Sequence, residues 1–177
     1  MISFRRAVVI GSPGAGKSTF ARALRDKTGL PLYYLDRIWH KPDKTTVSRE
    51  EFDRRLAAIL AEDRWIIDGN YQRTLRPRIE SCEAVFLLDY PRQVCLAGVA
   101  SRVGTAREDM PWVEEAFDGE FRRWIEEFPE KQLPEIYRLL EEFPDKEITV
   151  FRTREESEVW LRSASLGQGT DGTSGEG

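Results

Sequence analysis

The sequence predicts an α/β protein: a three-layer fold with a five-stranded parallel sheet. Three observations carry that reading. Short apolar runs alternate with amphipathic stretches along the chain, which is the pattern of right-handed strand-helix-strand crossovers. One of these runs, Ala84-Val85-Phe86-Leu87-Leu88, is apolar at every position and therefore suits a strand covered on both faces. Between the first strand and the first helix lies Gly11-Ser12-Pro13-Gly14-Ala15-Gly16-Lys17-Ser18-Thr19, which matches the phosphate-loop pattern G-x-x-x-x-G-K-[ST] at every fixed position.

The elements follow in order. Phe4 to Ile10 is the first strand, and the loop leads into a helix from Lys17 to about Lys27. Gly29 suits the end of that helix, and Pro31 prevents its continuation. Leu32 to Leu35 is a short second strand ending at Asp36, and Arg37 to Val47 reads as a mobile loop over the site. Ser48 and Glu51 form a capping box before Phe52, Leu56, Ile59 and Leu60, which recur at helical spacing. Trp65-Ile66-Ile67 is the third strand, running into Asp68-Gly69-Asn70-Tyr71, and a short basic helix with Arg73, Arg76 and Arg78 follows. After the fourth strand, Pro91 opens a helix to about Val103, and residues 104–111 break it. Two further helices are expected around Val113–Glu127 and Pro134–Phe143, then a fifth strand, Glu147 to Phe151, and a last helix from Arg154 to about Arg162. Residues 163–177 are rich in Ser, Gly and Thr and read as a disordered tail. One domain, residues 1–162, with a lid at about 103–112, therefore carries the function.

Composition narrows the classes of partner. The 177 residues are 40% hydrophobic and 33% charged, which suits a globular chain with a real core. The net charge of −4 argues against a broad nucleic-acid surface, and no run approaches the length of a membrane span. With no signal-like segment at the start, the cytoplasm is the expected compartment. Cys82 and Cys95 each sit in an apolar segment, as buried thiols do.

The phosphate loop implies a nucleotide. Backbone amides from Gly11 to Thr19 and the helix N-terminus cradle phosphates, Lys17 reaches the β- and γ-phosphates, and the Ser18 hydroxyl sits on Mg²⁺. An acid in or near the metal's shell, besides the Ser18 hydroxyl, is expected at a strand end. Asp68 and Asp89 both qualify; Asp68 is preferred because it opens onto Gly69 and Asn70, whereas Asp89 precedes Tyr90-Pro91, a helix entry. Asp36 is a candidate to hold an acceptor hydroxyl in line with the γ-phosphate, or else it caps the local backbone. Arg102 and Arg107 flank the Gly104 break, where a lid would bring positive charge to a transferring phosphoryl group. His40, the only histidine, has no partner cluster and reads as a loop residue. Tyr33, Tyr34 and Trp39 suit either ring stacking or core packing.

The loop Gly11–Ser18, the turn Leu35-Asp36, the run Trp65-Ile66-Ile67-Asp68-Gly69-Asn70-Tyr71 and the edge Phe86-Leu87-Leu88-Asp89-Tyr90-Pro91 together resemble the bacterial topology modulation proteins, adenylate-kinase-like P-loop proteins. The likeness extends to about Leu161. It implies a nucleoside-monophosphate-kinase-like P-loop NTPase fold, ATP and Mg²⁺ as ligands, and an undefined small-molecule acceptor; the family name suggests an indirect effect on DNA supercoiling. Asp68-Gly69 is similar to the Asp-Gly that opens the monophosphate segment of adenylate kinases, but Asn70-Tyr71-Gln72-Arg73-Thr74 replaces their Phe-Pro-Arg-Thr, which weakens the case for AMP. Asp36 lies where shikimate-kinase-like enzymes hold a substrate hydroxyl. Of two lid arginines in adenylate kinases, Arg102 matches the second and Gly98 stands at the first, which implies relaxed base selectivity. The segment from Val103 to Val113 is too short for a zinc-type lid and lacks its cysteines. Two function classes follow: an ATP-dependent phosphotransferase, or a nucleotide-dependent switch or slow ATPase.

Overall fold

In the computed structural model, residues 1–114 and 119–165 are described. The strands are β1 Arg6–Gly11, β2 Leu32–Tyr34, β3 Trp65–Asp68, β4 Ala84–Leu88 and β5 Glu147–Phe151. The helices are α1 Lys17–Thr28, α2 Leu35–Trp39, α3 Arg49–Leu60, α4 Leu75–Ser81, α5 Arg92–Arg102, α6 Gly119–Lys131, α7 Leu133–Glu141 and α8 Arg154–Ser163. A 3-10 turn, Gln72–Thr74, precedes α4. All the strands are parallel, in the order β2-β3-β1-β4-β5.

Alternation within the strands divides the core into two layers. Ala7, Val9, Ile66, Phe86 and Leu88 face one side, where Phe20, Leu24, Cys95 and Val99 from α1 and α5 cover them. Val8, Ile10, Ile67, Val85 and Leu87 face the other, under Phe52 and Leu56 of α3, Ile79 of α4, and Ile136 and Leu140 of α7. The first layer holds an aromatic cluster. Phe20 lies 5.2 Å from Phe86 and 5.3 Å from Phe151 between ring centroids, and Trp160 of α8 lies 4.9 Å from Phe86. Phe20 is one turn beyond Lys17, so this packing fixes the start of α1, and with it the phosphate loop, against the sheet.

Local sequence accounts for several boundaries. Gly29 closes α1 in the left-handed conformation at φ 71°, its N–H donating to the Arg25 carbonyl. Ser48 caps α3, its Oγ accepting from the Glu51 N–H at 3.1 Å. The capping box is only half made, because the Glu51 carboxylate turns to Arg54 and Arg55 instead.

Some expected boundaries are corrected. Asp36 does not end a strand: β2 stops at Tyr34 and Asp36 sits in the first turn of α2. The stretch after it is not simply a loop; α2 continues to Trp39, and His40 bridges Thr46 antiparallel, folding the segment back as a tight hairpin. The helix expected around Val113–Glu127 is described over Gly119–Lys131, with Val113 and Glu114 outside it and 115–118 outside the described residues. The first strand starts two residues later and ends one residue later than expected, at Arg6–Gly11. At the other end, the Ser165 carbonyl accepts from the Ile2 N–H, so the chain is tied down past residue 163; the rest of the expected tail, 166–177, lies outside the described residues. Among the described residues no helix is long and apolar enough to cross a membrane. Cys82 and Cys95 are free and buried.

Candidate active site

The C-terminal ends of β1, β3 and β2 converge on one edge of the sheet, and the loop after β1 turns there into α1. Helix α1 has no side-chain cap and no acidic residue in its first turn. Its orphan N–H groups and partial positive charge are therefore left for an anion. Gly14 and Gly16 hold left-handed backbone, at φ 79° and 90°. A Cβ on Gly14 would stand 2.1 Å from the Cys95 carbonyl oxygen, so only glycine lets the loop lie against α5.

Gly98 answers from the other side of that contact. A Cβ there would meet the Gly14 carbonyl oxygen at 2.2 Å. The position at which the resemblance implies a lid arginine is thus a close approach of helix backbone to phosphate loop, and no larger residue fits without moving one of them.

Ser18 Oγ donates to Asp68 Oδ2 at 2.6 Å, while Asp68 Oδ1 is buried with no partner. Burial pushes the Asp68 carboxyl from 3.8 up to about 6, with Lys17 and the Ser18 hydroxyl acting in the opposite sense. A hydroxyl and a carboxylate with a spare oxygen, at the mouth of a phosphate cradle, are the hard oxygen donors that suit Mg²⁺ carried by a nucleotide. Asp89 has no such position. Its carboxylate accepts from Tyr137 Oη at 2.6 Å and from Arg152 at 3.3 Å, and it does not line the cavity.

The raised Asp68 value has a consequence for the free protein. Between pH 4 and 6 the folded chain holds a proton that the unfolded chain has released. Asp68 therefore favours the fold fully below about pH 4, and that contribution is lost as pH rises through 6. Thermal unfolding of the nucleotide-free protein against Asp68→Asn should show the variant gaining relative stability from about pH 4 to 6.5 and holding level above. A constant difference across that range would contradict the assignment.

Lys17 Nζ donates to the Ser12 carbonyl at 3.3 Å and lies in the field of both Asp68 and Asp36. Desolvation lowers its pKa, with the two carboxylates working against that. Arg102 is lowered for the same first reason, next by the charge of Arg107, and its Nε is buried without a partner. Cations held partly dry near a phosphate loop are a stored electrostatic cost that an anionic ligand would relieve.

Asp36 and Tyr71 meet across the site, Tyr71 Oη donating to Asp36 Oδ1 at 2.6 Å. Both line a cavity of about 880 Å³ that also takes in Lys17, Ser18, Asp68 and Arg102. A smaller cavity of about 340 Å³ also borders the phosphate loop, lined by α5 and α8. Of the loop residues, Pro13, Gly14, Lys17 and Ser18 face the first, and Gly14, Ala15, Gly16, Ser18 and Thr19 the second. Gly11 and Ser12 are buried behind them. Arg107 borders both cavities but is engaged, by Asp109 at 3.7 Å and Glu114 at 3.5 Å.

The segment 103–112 is fastened over the site. Glu108 accepts from Arg25 at 3.0 Å and from Tyr34 Oη, and Arg37 donates to the Glu108 and Met110 carbonyls. Tyr34 is thereby a latch and Tyr33, bonded to Glu62, a surface contact; neither lines the cavity. Trp39 packs edge-on against Phe52 and also faces the cavity. His40 lines it as well, edge-on to Trp112.

Two residues that sequence reasoning passed over organise the site. Asn70 clamps the first residue of the phosphate loop, its Oδ1 accepting from the Gly11 N–H at 3.1 Å and its Nδ2 donating to the Gly11 carbonyl at 2.7 Å. Arg78 is fully buried and donates to the carbonyls of Gly69 (2.8 Å), Asn70, Tyr71 (3.2 Å) and Thr74 (3.3 Å). It stitches the turn after β3 into shape. Asn70 stood inside the run that carries the resemblance; nothing in the sequence separates Arg78 from Arg73 and Arg76, which are exposed partners of Asp53 and Glu142.

A phosphate loop opening a helix beside a strand-end acid, on a parallel sheet ordered 2-3-1-4-5, defines the fold of the P-loop kinases. Comparison with known proteins agrees. Over 93 residues, 51% of the chain, it is 31% identical to adenylate kinase from Thermotoga neapolitana, and equally to that from Thermotoga petrophila. The match spans 41% of each of those proteins, so the chain covers less than half of their length. Among solved structures, shikimate kinase from Bacteroides thetaiotaomicron superposes with a TM-score of 0.59 over 90% of this chain and 95% of that one, at 17% identity. Shikimate kinase from Acinetobacter baumannii in complex with shikimate gives 0.57 over 89% and 91%, at 15% identity. No family model matches the chain.

Proposed function

We propose that the chain is an ATP-dependent phosphotransferase acting on a small-molecule hydroxyl acceptor, with residues 1–162 as the catalytic unit and 103–112 as its lid. The observation that carries this is a single cavity holding both halves of the chemistry: Lys17, Ser18 and Asp68 at the phosphate loop, and Asp36 after the neighbouring strand, held by Tyr71. The 31% identity to adenylate kinases over half of the chain supports the same reading.

ATP lies with its phosphates on the amides of residues 11–19. Ser18 and Asp68 would hold the Mg²⁺ that comes with it, and the ion would supply charge neutralisation to the phosphates. Lys17 and Arg102 balance the remaining charge as it develops on the transferring group. Tyr71 keeps Asp36 turned toward the acceptor. The acceptor oxygen bonds to the γ-phosphorus as the bond from that phosphorus to the β,γ-bridging oxygen breaks. ADP leaves with that electron pair, and the hydroxyl proton passes to Asp36.

Asp36→Asn should lose transfer while keeping ATP binding, read by labelled product and by nucleotide titration. Loss of both would assign Asp36 to the nucleotide site instead.

A second reading, a nucleotide-dependent switch or slow ATPase, is favoured by one observation. Arg107 is held by Asp109 and Glu114 rather than standing free toward the phosphate loop. The resemblance to the topology modulation proteins is retained as the proposed family, with any effect on DNA supercoiling indirect. The proposed compartment is the cytoplasm.

A further inference from the structure

The walls of the larger cavity differ in chemistry from end to end. At the phosphate-loop end and the junction with the smaller cavity stand Lys17, Arg102 and Arg107. Much of the remaining lining is aromatic. Trp39 and Tyr71 form one side, and Phe121, Trp124 and Phe128 of α6 line the same space. Gln72 and Gln132 add amides among these rings, Gln72 Nε2 donating to the Gln132 carbonyl at 3.4 Å.

Among the described residues, once Lys17 and Arg102 face a nucleotide's phosphates, no uncommitted buried cation lines the cavity. Arg107 is answered by two carboxylates, Asp109 and Glu114, whose charges also reach Arg102. Arg37 is spent on backbone carbonyls, Arg73 on Asp53 and Arg76 on Glu142, and none of the three lines the cavity. Among the described residues, the remaining cation in the lining is Lys44, exposed at the mouth. Asp36, Asp109 and Glu114 contribute negative charge, and bound ATP adds more. An entering phosphate or carboxylate would be desolvated against like charge, which disfavours it. A flat ring bearing hydrogen-bonding edges would stack on the aromatic walls and meet the two amides.

We propose that the acceptor is an uncharged alcohol carrying a planar heteroaromatic ring, a nucleoside in chemical class, and not a phosphorylated or carboxylated compound. This deepens the phosphotransferase reading and rests on it. Charge exclusion provides the discrimination: the site gains little from an anion and loses by burying it.

The test uses the full chain with Mg²⁺ and γ-labelled ATP against adenosine, guanosine, cytidine and uridine, each paired with its 5′-monophosphate. Labelled product and ADP are both counted. The expected result is transfer to at least one nucleoside with kcat/KM about tenfold or more above that for its monophosphate. In Glu114→Gln, which leaves Arg107 with one acid, that ratio should narrow by roughly threefold or more. Transfer that favours a monophosphate would overturn the proposal and leave the kinase reading standing. So would a preference for nucleosides that is unmoved in Glu114→Gln, which would take the discrimination away from the charges around Arg107. ADP formed without labelled product from either set would contradict the kinase reading itself, and this proposal with it.

Discussion

Replacing Lys17 with alanine is expected to abolish nucleotide-dependent turnover without unfolding the chain. The ammonium lies beside the Ser12 carbonyl, between Asp68 and Asp36, with its pKa lowered by desolvation. In the free protein that charge is a cost, and its return comes when a phosphate arrives. Lys17→Ala should therefore leave the unfolding midpoint unchanged or slightly raised, while ADP formation falls on the order of a hundredfold or more. Calorimetric nucleotide titration and a thermal melt on the same preparation separate the two effects. Unchanged ATP binding and turnover would remove the phosphate-loop assignment.

Arg78→Met should give the largest loss of stability. The guanidinium is fully buried and satisfies four carbonyls in the turn that follows β3. Methionine fills much of the volume but leaves those acceptors dry and unpaired, at a cost of about 3 kcal/mol or more. For a domain of this size that is a fall of roughly 6–12 °C in Tm. Because the same turn carries Asn70 onto Gly11, nucleotide affinity should fall as well. Arg78→Lys should recover only part of the loss, since one ammonium cannot reach a fan of carbonyls as a planar fork does. Arg76→Met, which removes an exposed pair with Glu142, should cost no more than about 0.5 kcal/mol. Equal effects at positions 76 and 78 would contradict the burial argument.

The contrast between these arginines marks what a sequence carries and what it does not. The sheet was legible because β4 is apolar throughout and the other strands are spaced by helical patterns, and parallel pairing is the geometry that buries both faces. The phosphate loop was legible because its glycines serve local backbone needs, visible in φ 79° at Gly14. Properties that depend on what another segment brings were not. Gly98 reads as a missing arginine until α5 is seen against the loop, where a side chain would collide with the Gly14 carbonyl. Arg107 reads as a free lid cation until Asp109 and Glu114 close on it. Asp36 reads as a strand end, because three residues of β2 give too short a pattern to separate from the first turn of α2. Asp68 ends β3 and Asp89 directly follows β4; only Arg152, just after β5, and Tyr137 of α7 draw Asp89 away.

The most direct measurement is ADP formation with Mg-ATP, counted together with phosphorylated product, across nucleosides, nucleoside monophosphates and small hydroxy metabolites. The account predicts ADP formation that rises strongly with one class of acceptor, one phosphorylated product for each ADP, and loss of that product in Asp36→Asn. Slow ADP formation indifferent to every acceptor, and unchanged in Asp36→Asn, would contradict it and leave a nucleotide-dependent switch.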